Sequence, residues 1–148
     1  MRILCVDYGD KRIGLAVSDP FGWTAGGVRT LENGGSITKA AEMVRDIAEE
    51  FDASEIVIGV PRNMNGTYGP RAQITENFIE SLKAVSNAKI VRWDERLTTA
   101  AAKKTMHELG TKTAKKKNMV DQIAAVHILQ GYLDNIRNRK PDVENSQE

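Results

Sequence analysis

Hydrophobic positions at the start of the chain predict a hairpin of buried strands. Residues 3–6 form an unbroken apolar run, which is typical of a strand buried on both faces. Ile13, Leu15 and Val17 then alternate with small residues, as expected for a second strand. Gly9 and the aspartate after it favour a turn between the two runs. The first strand is therefore predicted to be a central strand of a sheet.

Further along, apolar residues recur every three or four positions, which indicates amphipathic helices between short strands. Ser36 is a good N-cap for the first helix, and Pro70 is a good first residue for the second. The predicted elements are a strand over 23–31, helix 37–51, strand 56–60, a helix from Pro70, strand 89–93, a helix from Thr98 or Thr99 to Leu109, and a long helix from about Met119 to Asn135. Strands separated by helices run parallel to the first strand. We therefore expect an α/β domain: an antiparallel meander plus parallel strands in one mixed sheet, flanked by helices.

Carboxylates follow two of these strands where the strands leave the core. Asp7 ends the first apolar run, and Asp94 and Glu95 follow the strand over 89–93. Because ligands bind outside the carboxyl ends of parallel strands, we expect these side chains at one edge of the sheet. Neighbouring residues point to opposite faces, so only one of Asp94 and Glu95 can easily reach the site. The alternative for Asp7 is an aspartate that only shapes the turn.

Asp121 stands at the head of an apolar stripe in the last predicted helix. It either stabilises the helix dipole or completes a site with Asp7 and one of Asp94 and Glu95. Three carboxylates without a cluster of His or Cys favour Mg²⁺ or Mn²⁺ over zinc. Two such ions can activate a water and stabilise the leaving oxygen in phosphodiester hydrolysis. Asp7, Asp121 and one of Asp94 and Glu95 are therefore the predicted catalytic and metal-binding residues.

The distribution of charge adds a predicted nucleic-acid partner. The chain has a net charge of only +1, but residues 103–117 hold six lysines and one glutamate, a net charge of +5. Beside a metal site, such a stretch favours contacts with a phosphate backbone. The predicted substrate-binding residues are Arg12, Arg62, Asn63, Arg71, Arg96, Lys112, Lys115, Lys116 and Lys117. A solvated face for the lysines and plain salt bridges for the arginines remain the alternatives.

The 148 residues are enough for one domain, predicted over 1–138, with a flexible acidic tail over 139–148. No apolar stretch is long enough to span a bilayer, and we expect no membrane partner. The single cysteine, Cys5, lies in the first apolar run, which indicates a core residue in a reducing, cytoplasmic setting. Trp23, Trp93 and His127 are predicted to pack in the fold, and Tyr68 is a candidate for base stacking.

Four blocks of the sequence resemble the YqgF family, also called RuvX. They are residues 7–19 (DYGDKRIGLAVSD), 59–66 (GVPRNMNG), 94–99 (DERLTT) and 121–125 (DQIAA) with Ile128 and Leu129, in the order of that family. The resemblance implies an RNase H-like fold with a mixed five-stranded sheet. It also implies a bacterial, cytoplasmic, metal-dependent endonuclease that matures the 5′ end of pre-16S rRNA or resolves Holliday junctions. The family's acidic positions fall on Asp7, Glu95 and Asp121.

Three functions remain open at this point. The first is a metal-dependent endonuclease on pre-16S rRNA or, alternatively, on branched DNA, where a homodimer would suit symmetric cutting. The second is a non-catalytic nucleic-acid-binding module, although three carboxylates facing phosphates would repel them. The third is an ATP-binding protein of the actin or sugar-kinase type, because an aspartate and glycine after a first strand resemble that group's phosphate loop. Its two-domain clamp does not fit one domain.

Overall fold

The computed structural model describes residues 2–63, 65–97 and 114–137, with only the backbone described over 114–121 and at 137. The helix predicted to end at Leu109, the acidic tail and Lys112 therefore lie outside the described residues, and the predicted domain limit at 138 falls just beyond them. Within the described part, no helix is both long and apolar enough to cross a membrane.

One five-stranded mixed sheet forms the centre of the fold, as predicted. Its strands are β1 (Arg2–Tyr8), β2 (Arg12–Ser18), β3 (Ala25–Glu32), β4 (Ala53–Val60) and β5 (Lys89–Asp94). They lie in the order β3-β2-β1-β4-β5. The first three form an antiparallel meander, and β4 and β5 run parallel to β1. The apolar first strand is thus the central one, which explains its uninterrupted hydrophobic run.

Three helices are described: α1 (Ile37–Glu50), α2 (Pro70–Val85) and α3 (Ala114–Arg137). The hydroxyl of Ser36 accepts a hydrogen bond of 3.2 Å from the Lys39 amide and caps α1, and α2 begins at Pro70, both as predicted. The predicted start of α3 near Met119 is wrong, because the helix already begins at Ala114. Lysines 115–117 are therefore part of a helix and not of a connection.

Alternating side chains of the central strand separate two cores. Leu4 and Val6 face α1 and α2, whereas Cys5 packs under α3 with Ala125 and Leu129. Cys5 is fully buried, as predicted. Residues two apart on a strand share a face, so Asp7 lies on the α3 side of the sheet.

The prediction for Trp23 is wrong, and that for His127 is only partly right. Strand β3 begins at Ala25, and Trp23 precedes it with 59% of its surface exposed. The carboxylate of Asp19 accepts hydrogen bonds from the backbone amides of Trp23 (2.7 Å) and Thr24 (2.8 Å), which holds these residues in a loop. The side chain of His127 in α3 is half-buried, because it is not among the side chains of this helix that pack against the sheet.

Candidate active site

Asp7 lies in the central strand with a glycine next to it on each neighbouring strand. Its registered partner in β2 is Gly14. On the other side, the last registered pair of β1 and β4 is Val6 with Ile58, so Gly59 follows in the row of Asp7. A glycine has no side chain, and neither strand neighbour therefore crowds the Asp7 carboxylate. This arrangement keeps room for other groups around that carboxylate.

Glu95 occupies part of that room. It begins a short 3₁₀ helix directly after β5, and its side chain lies over Gly59. A methyl group on Gly59 would lie 3.0 Å from Oε2 and 3.1 Å from Cγ of Glu95. The same methyl group would lie 2.8 Å from Cδ1 of Ile128 in α3, so Glu95 is on the α3 side of the sheet. Asp7 and Glu95 thus share one face at the carboxyl edge.

The buried thiol of Cys5 lies within the electrostatic influence of both carboxylates. The pKa of Cys5 is raised well above its usual value, first by burial and then by the negative charges of Asp7 and Glu95. Charges act strongly on a buried group because the protein interior screens them weakly. Two carboxylates near one buried atom repel each other, and a cation between them would relieve this repulsion.

The third predicted carboxylate, Asp121, belongs to the N-terminal half of α3, and its side chain lies outside the description. Its neighbour Gln122 is described: the side-chain amide donates a hydrogen bond of 3.1 Å to Oγ1 of Thr30 in β3. Thr30 is the strand partner of Gly14, which in turn pairs with Asp7. The side chain of Gln122 therefore reaches the row of the sheet that contains Asp7, and its Cβ lies beside Gly27, in the row of Cys5.

The donor chemistry of this edge fits a hard cation. Asp7 and Glu95 offer oxygen ligands, which suit Mg²⁺ or Mn²⁺ better than zinc. Among the side chains that the structure describes, no three His, Cys, Asp or Glu residues form a cluster. The described part of the site is therefore a pair of carboxylates, and a third ligand is expected from α3.

Asp94 is turned to two arginines instead. Its carboxylate accepts a hydrogen bond of 2.7 Å from Nη2 of Arg96 and lies 3.5 Å from Nη1 of Arg62. The pKa of Asp94 is lowered, mainly by the hydrogen bond from Arg96. Arg62 also donates to the carbonyl of Gly66, and its guanidinium lies 4.6 Å from the centre of the Tyr68 ring. Each of these two arginines, predicted to bind substrate, thus has an internal carboxylate partner.

Arg71 and Asn63 line the same edge of the sheet. Arg71 pairs with the Asp10 carboxylate and donates a hydrogen bond of 2.8 Å to the carbonyl of Tyr8. The side-chain amide of Asn63 donates 3.0 Å to the hydroxyl of Thr67 and so stabilises the loop between β4 and α2. Both residues help to line a small cavity of about 170 Å³ beside that loop.

The other predicted substrate-binding residues are more distant or only partly described. Arg12 is the half-buried first residue of β2, and its carbonyl accepts the amide of Gly9 at 3.0 Å in the hairpin turn. The backbone of lysines 115–117 forms the first turn of α3, which precedes Gln122 in the same helix.

Two residues with a clear place in this site are missing from the sequence prediction: Gly59 and Gln122. Gly59 interrupts an apolar strand, and a glycine inside a strand often marks a close approach of another group. That signal was present in the sequence, but it did not identify Glu95 as the group. Gln122 carries no comparable signal, because its contact with β3 joins residues far apart in the chain.

The chain is similar to several known proteins over nearly its whole length. A family model described as "RuvX: Holliday junction resolvase" matches residues 1–135. A protein of Ruminiclostridium cellulolyticum named "Putative pre-16S rRNA nuclease" is 52% identical over 140 residues, covering 95% of this chain and 99% of the relative. One of the same name from Clostridium tetani is 48% identical, covering 94% and 100%. The structure of Thermus thermophilus RuvC with a Holliday junction substrate superposes with a TM-score of 0.59 at 11% identity, over 93% and 96% of the two chains. This likeness confirms the RNase H-like fold.

Proposed function

Because the chain belongs to the RuvX family of Holliday junction resolvases, we propose that it is a metal-dependent endonuclease that processes the 5′ end of pre-16S rRNA. The observation that carries the proposal is the pair of Asp7 and Glu95 on one face of the sheet, at its carboxyl edge. The relatives' names supply the substrate. Because the proposed substrate is a ribosomal RNA precursor, we also propose that the protein is cytoplasmic.

In this proposal Asp7, Glu95 and Asp121 hold Mg²⁺ or Mn²⁺. The bound metal supplies Lewis-acid activation of water and stabilisation of the leaving oxygen. The carboxylates themselves fix where the reaction occurs, because β1 and the turn after β5 hold Asp7 and Glu95 on a rigid sheet. A rigid support matters because a small misplacement of a reacting group is costly.

The basic groups of the same edge orient the substrate. Arg62, Arg71 and Arg96 present guanidinium groups around the loop that follows β4, and guanidinium groups match phosphate oxygens in a bidentate geometry. Lysines 112 and 115–117 add charge that attracts the backbone over a longer range. Arg12 and Asn63 complete the proposed contact surface.

A protein that only binds nucleic acid gains nothing from carboxylates facing phosphates, which favours the enzyme over a binding module.

The test is cleavage of a labelled precursor fragment of 16S rRNA, with Mg²⁺ and with Mn²⁺. We expect Asp7→Asn to reduce cleavage by about 100-fold or more, since mutations of this kind remove a central charge from an active site. The matched control is Asp46→Asn, which changes an exposed aspartate of α1 on the other side of the sheet. Cleavage that survives Asp7→Asn, with contaminating nucleases excluded, would refute the assignment of the site.

Binding of the metal ion can be measured by thermal unfolding, without any cleavage of substrate. A cation bound by the native site stabilises the native state, so Mn²⁺ should raise the melting temperature of the wild type and of Asp46→Asn. It should raise that of Asp7→Asn much less. An equal shift in all three proteins would mean that the ion binds elsewhere.

The second candidate substrate is a four-way DNA junction, which the description of the family model favours. A junction has to be cut symmetrically on two strands, so this function predicts a homodimer, at least on the junction. Cleavage assays of the rRNA fragment and of the junction with the same protein preparation distinguish the two substrates. Light scattering of the protein bound to each substrate measures whether the protein is a homodimer. Site-specific cutting of the junction alone would move the proposal to DNA.

A further inference from the structure

Tyr68 presents an exposed aromatic ring beside the candidate active site. It lies in the loop between β4 and α2, with 62% of its surface exposed. The guanidinium of Arg62 lies 4.6 Å from the centre of the ring. This contact fixes the ring on one side, because a cation over an aromatic face is attracted to it. Such a ring offers a preoriented platform for a planar group.

A cavity of about 350 Å³ opens next to this ring. It is lined by Tyr68, Ala72, Gln73, Glu76 and Arg92. Glu76 and Arg92 hold each other through hydrogen bonds of 2.8 to 3.1 Å. The cavity thus combines an aromatic wall, a small apolar side chain and a few fixed polar groups, as in sites that bind a flat ring with polar edges.

Arg62 lies between the ring of Tyr68 and the carboxyl end of β5. The guanidinium that contacts Tyr68 lies 3.5 Å, through Nη1, from the carboxylate of Asp94. Arg92 and Asp94 face α2, as the cavity does, whereas Glu95 lies on the opposite face, under α3. A nucleic-acid strand that reached both Glu95 and the ring of Tyr68 would therefore cross the carboxyl edge of the sheet and pass Arg62.

We propose that this cavity binds one unpaired nucleobase of the substrate, stacked on Tyr68 across the carboxyl edge of the sheet from the carboxylate pair. The proposal rests on the proposed function, because it assigns a substrate with an unpaired nucleotide outside the segment that is cut. A base that remains paired in a duplex cannot enter the cavity, so the subsite selects junctions between paired and unpaired segments. Stacking tolerates every base, since each has a π-face, and the subsite therefore selects structure more than sequence.

Binding is tested in EDTA, so that no cleavage occurs, on an RNA hairpin with a short unpaired extension that carries 2-aminopurine. A blunt hairpin of the same sequence is the paired probe. We expect the wild type to quench the 2-aminopurine fluorescence, and Tyr68→Ala to lose the quenching and bind the extended hairpin about 10- to 100-fold more weakly. Tyr68→Phe should retain both properties, because it keeps the ring. Phe21→Ala is the matched control: it removes an aromatic residue that is 82% exposed and lies in a different loop, between β2 and β3.

The salt dependence of binding distinguishes stacking from an effect through Arg62. Losing a stacked base leaves the number of phosphate contacts unchanged, so the slope of log affinity against log salt should be the same in Tyr68→Ala and the wild type. Equal losses for the extended and blunt hairpins, a shallower slope, or no loss at all would overturn the subsite. Wild-type cleavage on the precursor is scored separately. Its absence, with Tyr68-dependent quenching retained, would refute the nuclease and leave the base site standing.

Discussion

Replacing Gly59 by alanine tests whether the site is built as the structure has it. The new methyl group would lie 2.8 Å from Cδ1 of Ile128 and 3.0 Å from Oε2 of Glu95. Carbon atoms in contact are normally about 3.5 to 4.0 Å apart, so Ile128 has to move by about 0.7 Å or more. Overpacking of this kind costs about 1–3 kcal/mol of unfolding free energy.

The effect on activity should exceed the effect on stability. Glu95 has to withdraw from its place over Gly59, and a displacement of about 1 Å of a reacting group can reduce the rate about 100-fold. The assays are urea unfolding with the slope compared between proteins, and cleavage of the precursor fragment at saturating metal. Gly26→Ala in β3 is the control, since the added methyl group would meet nothing within 4 Å and should change the free energy of unfolding by less than about 0.5 kcal/mol.

A second substitution separates the two contacts. Ile128→Val removes the Cδ1 atom and alone should cost about 0.5–1.5 kcal/mol. Combined with Gly59→Ala, it relieves the closest clash, so the double variant should be more stable than the sum of the two single effects. Cleavage should stay low, because Glu95 is still displaced. The reasoning is refuted if Gly59→Ala behaves like Gly26→Ala, or if the double variant regains full activity.

Two further predictions concern charge. Replacing lysines 115–117 with glutamine should weaken binding of the precursor and reduce the slope of log affinity against log salt by about 2 to 3, the effect of three phosphate contacts. The same change at Lys83 and Lys89 is the control and should leave the slope unaltered. An unchanged slope in the triple variant would mean that the lysine stretch is only a solvated surface. The pKa of Glu76 is lowered, mainly by the hydrogen bond from Arg92. The ionised side chain therefore stabilises the fold at pH values above the ordinary pKa of glutamate. This stabilisation is lost as the pH falls through the lowered pKa. Because the pair is partly exposed, Glu76→Gln should cost less than about 1 kcal/mol at neutral pH in urea unfolding, and the difference from the wild type should disappear in acid; a difference independent of pH would contradict this cause.

The sheet and the place of Asp7 could be predicted from the sequence because both follow from local patterns. The apolar run through Cys5 indicates a doubly buried strand, and alternation assigns Asp7 to the same face as Cys5. The exposed position of Trp23 could not be predicted in this way, since the amide of Trp23 is held by Asp19 in a loop that looks strand-like in composition. Hydrogen bonds of a side chain to nearby backbone compete with strand formation and are not visible in hydrophobicity.

The division of roles between Asp94 and Glu95 was only half predictable. Alternation correctly indicates that the two side chains diverge, but it does not say which one faces the site. That choice depends on Arg62 and Gly59, which lie more than thirty residues earlier and meet β5 only through the register of the folded sheet. Arg62 and Arg96 attract Asp94, and Gly59 makes room for Glu95. The resemblance to a family selects Glu95 without giving this reason.

The ion pairs of the edge arginines do not argue against phosphate binding. A guanidinium group has five N–H donors, and one carboxylate engages only some of them. Asp94 therefore orients Arg62 and Arg96 while leaving donor capacity for a phosphate, which can also displace the carboxylate because partly exposed ion pairs are weak. We therefore expect the salt bridges in the free protein and propose the substrate contacts for the bound protein. Asp94 orients the arginines in the structure, and Glu95, one residue further along the chain, lies over Gly59 on the α3 side of the sheet.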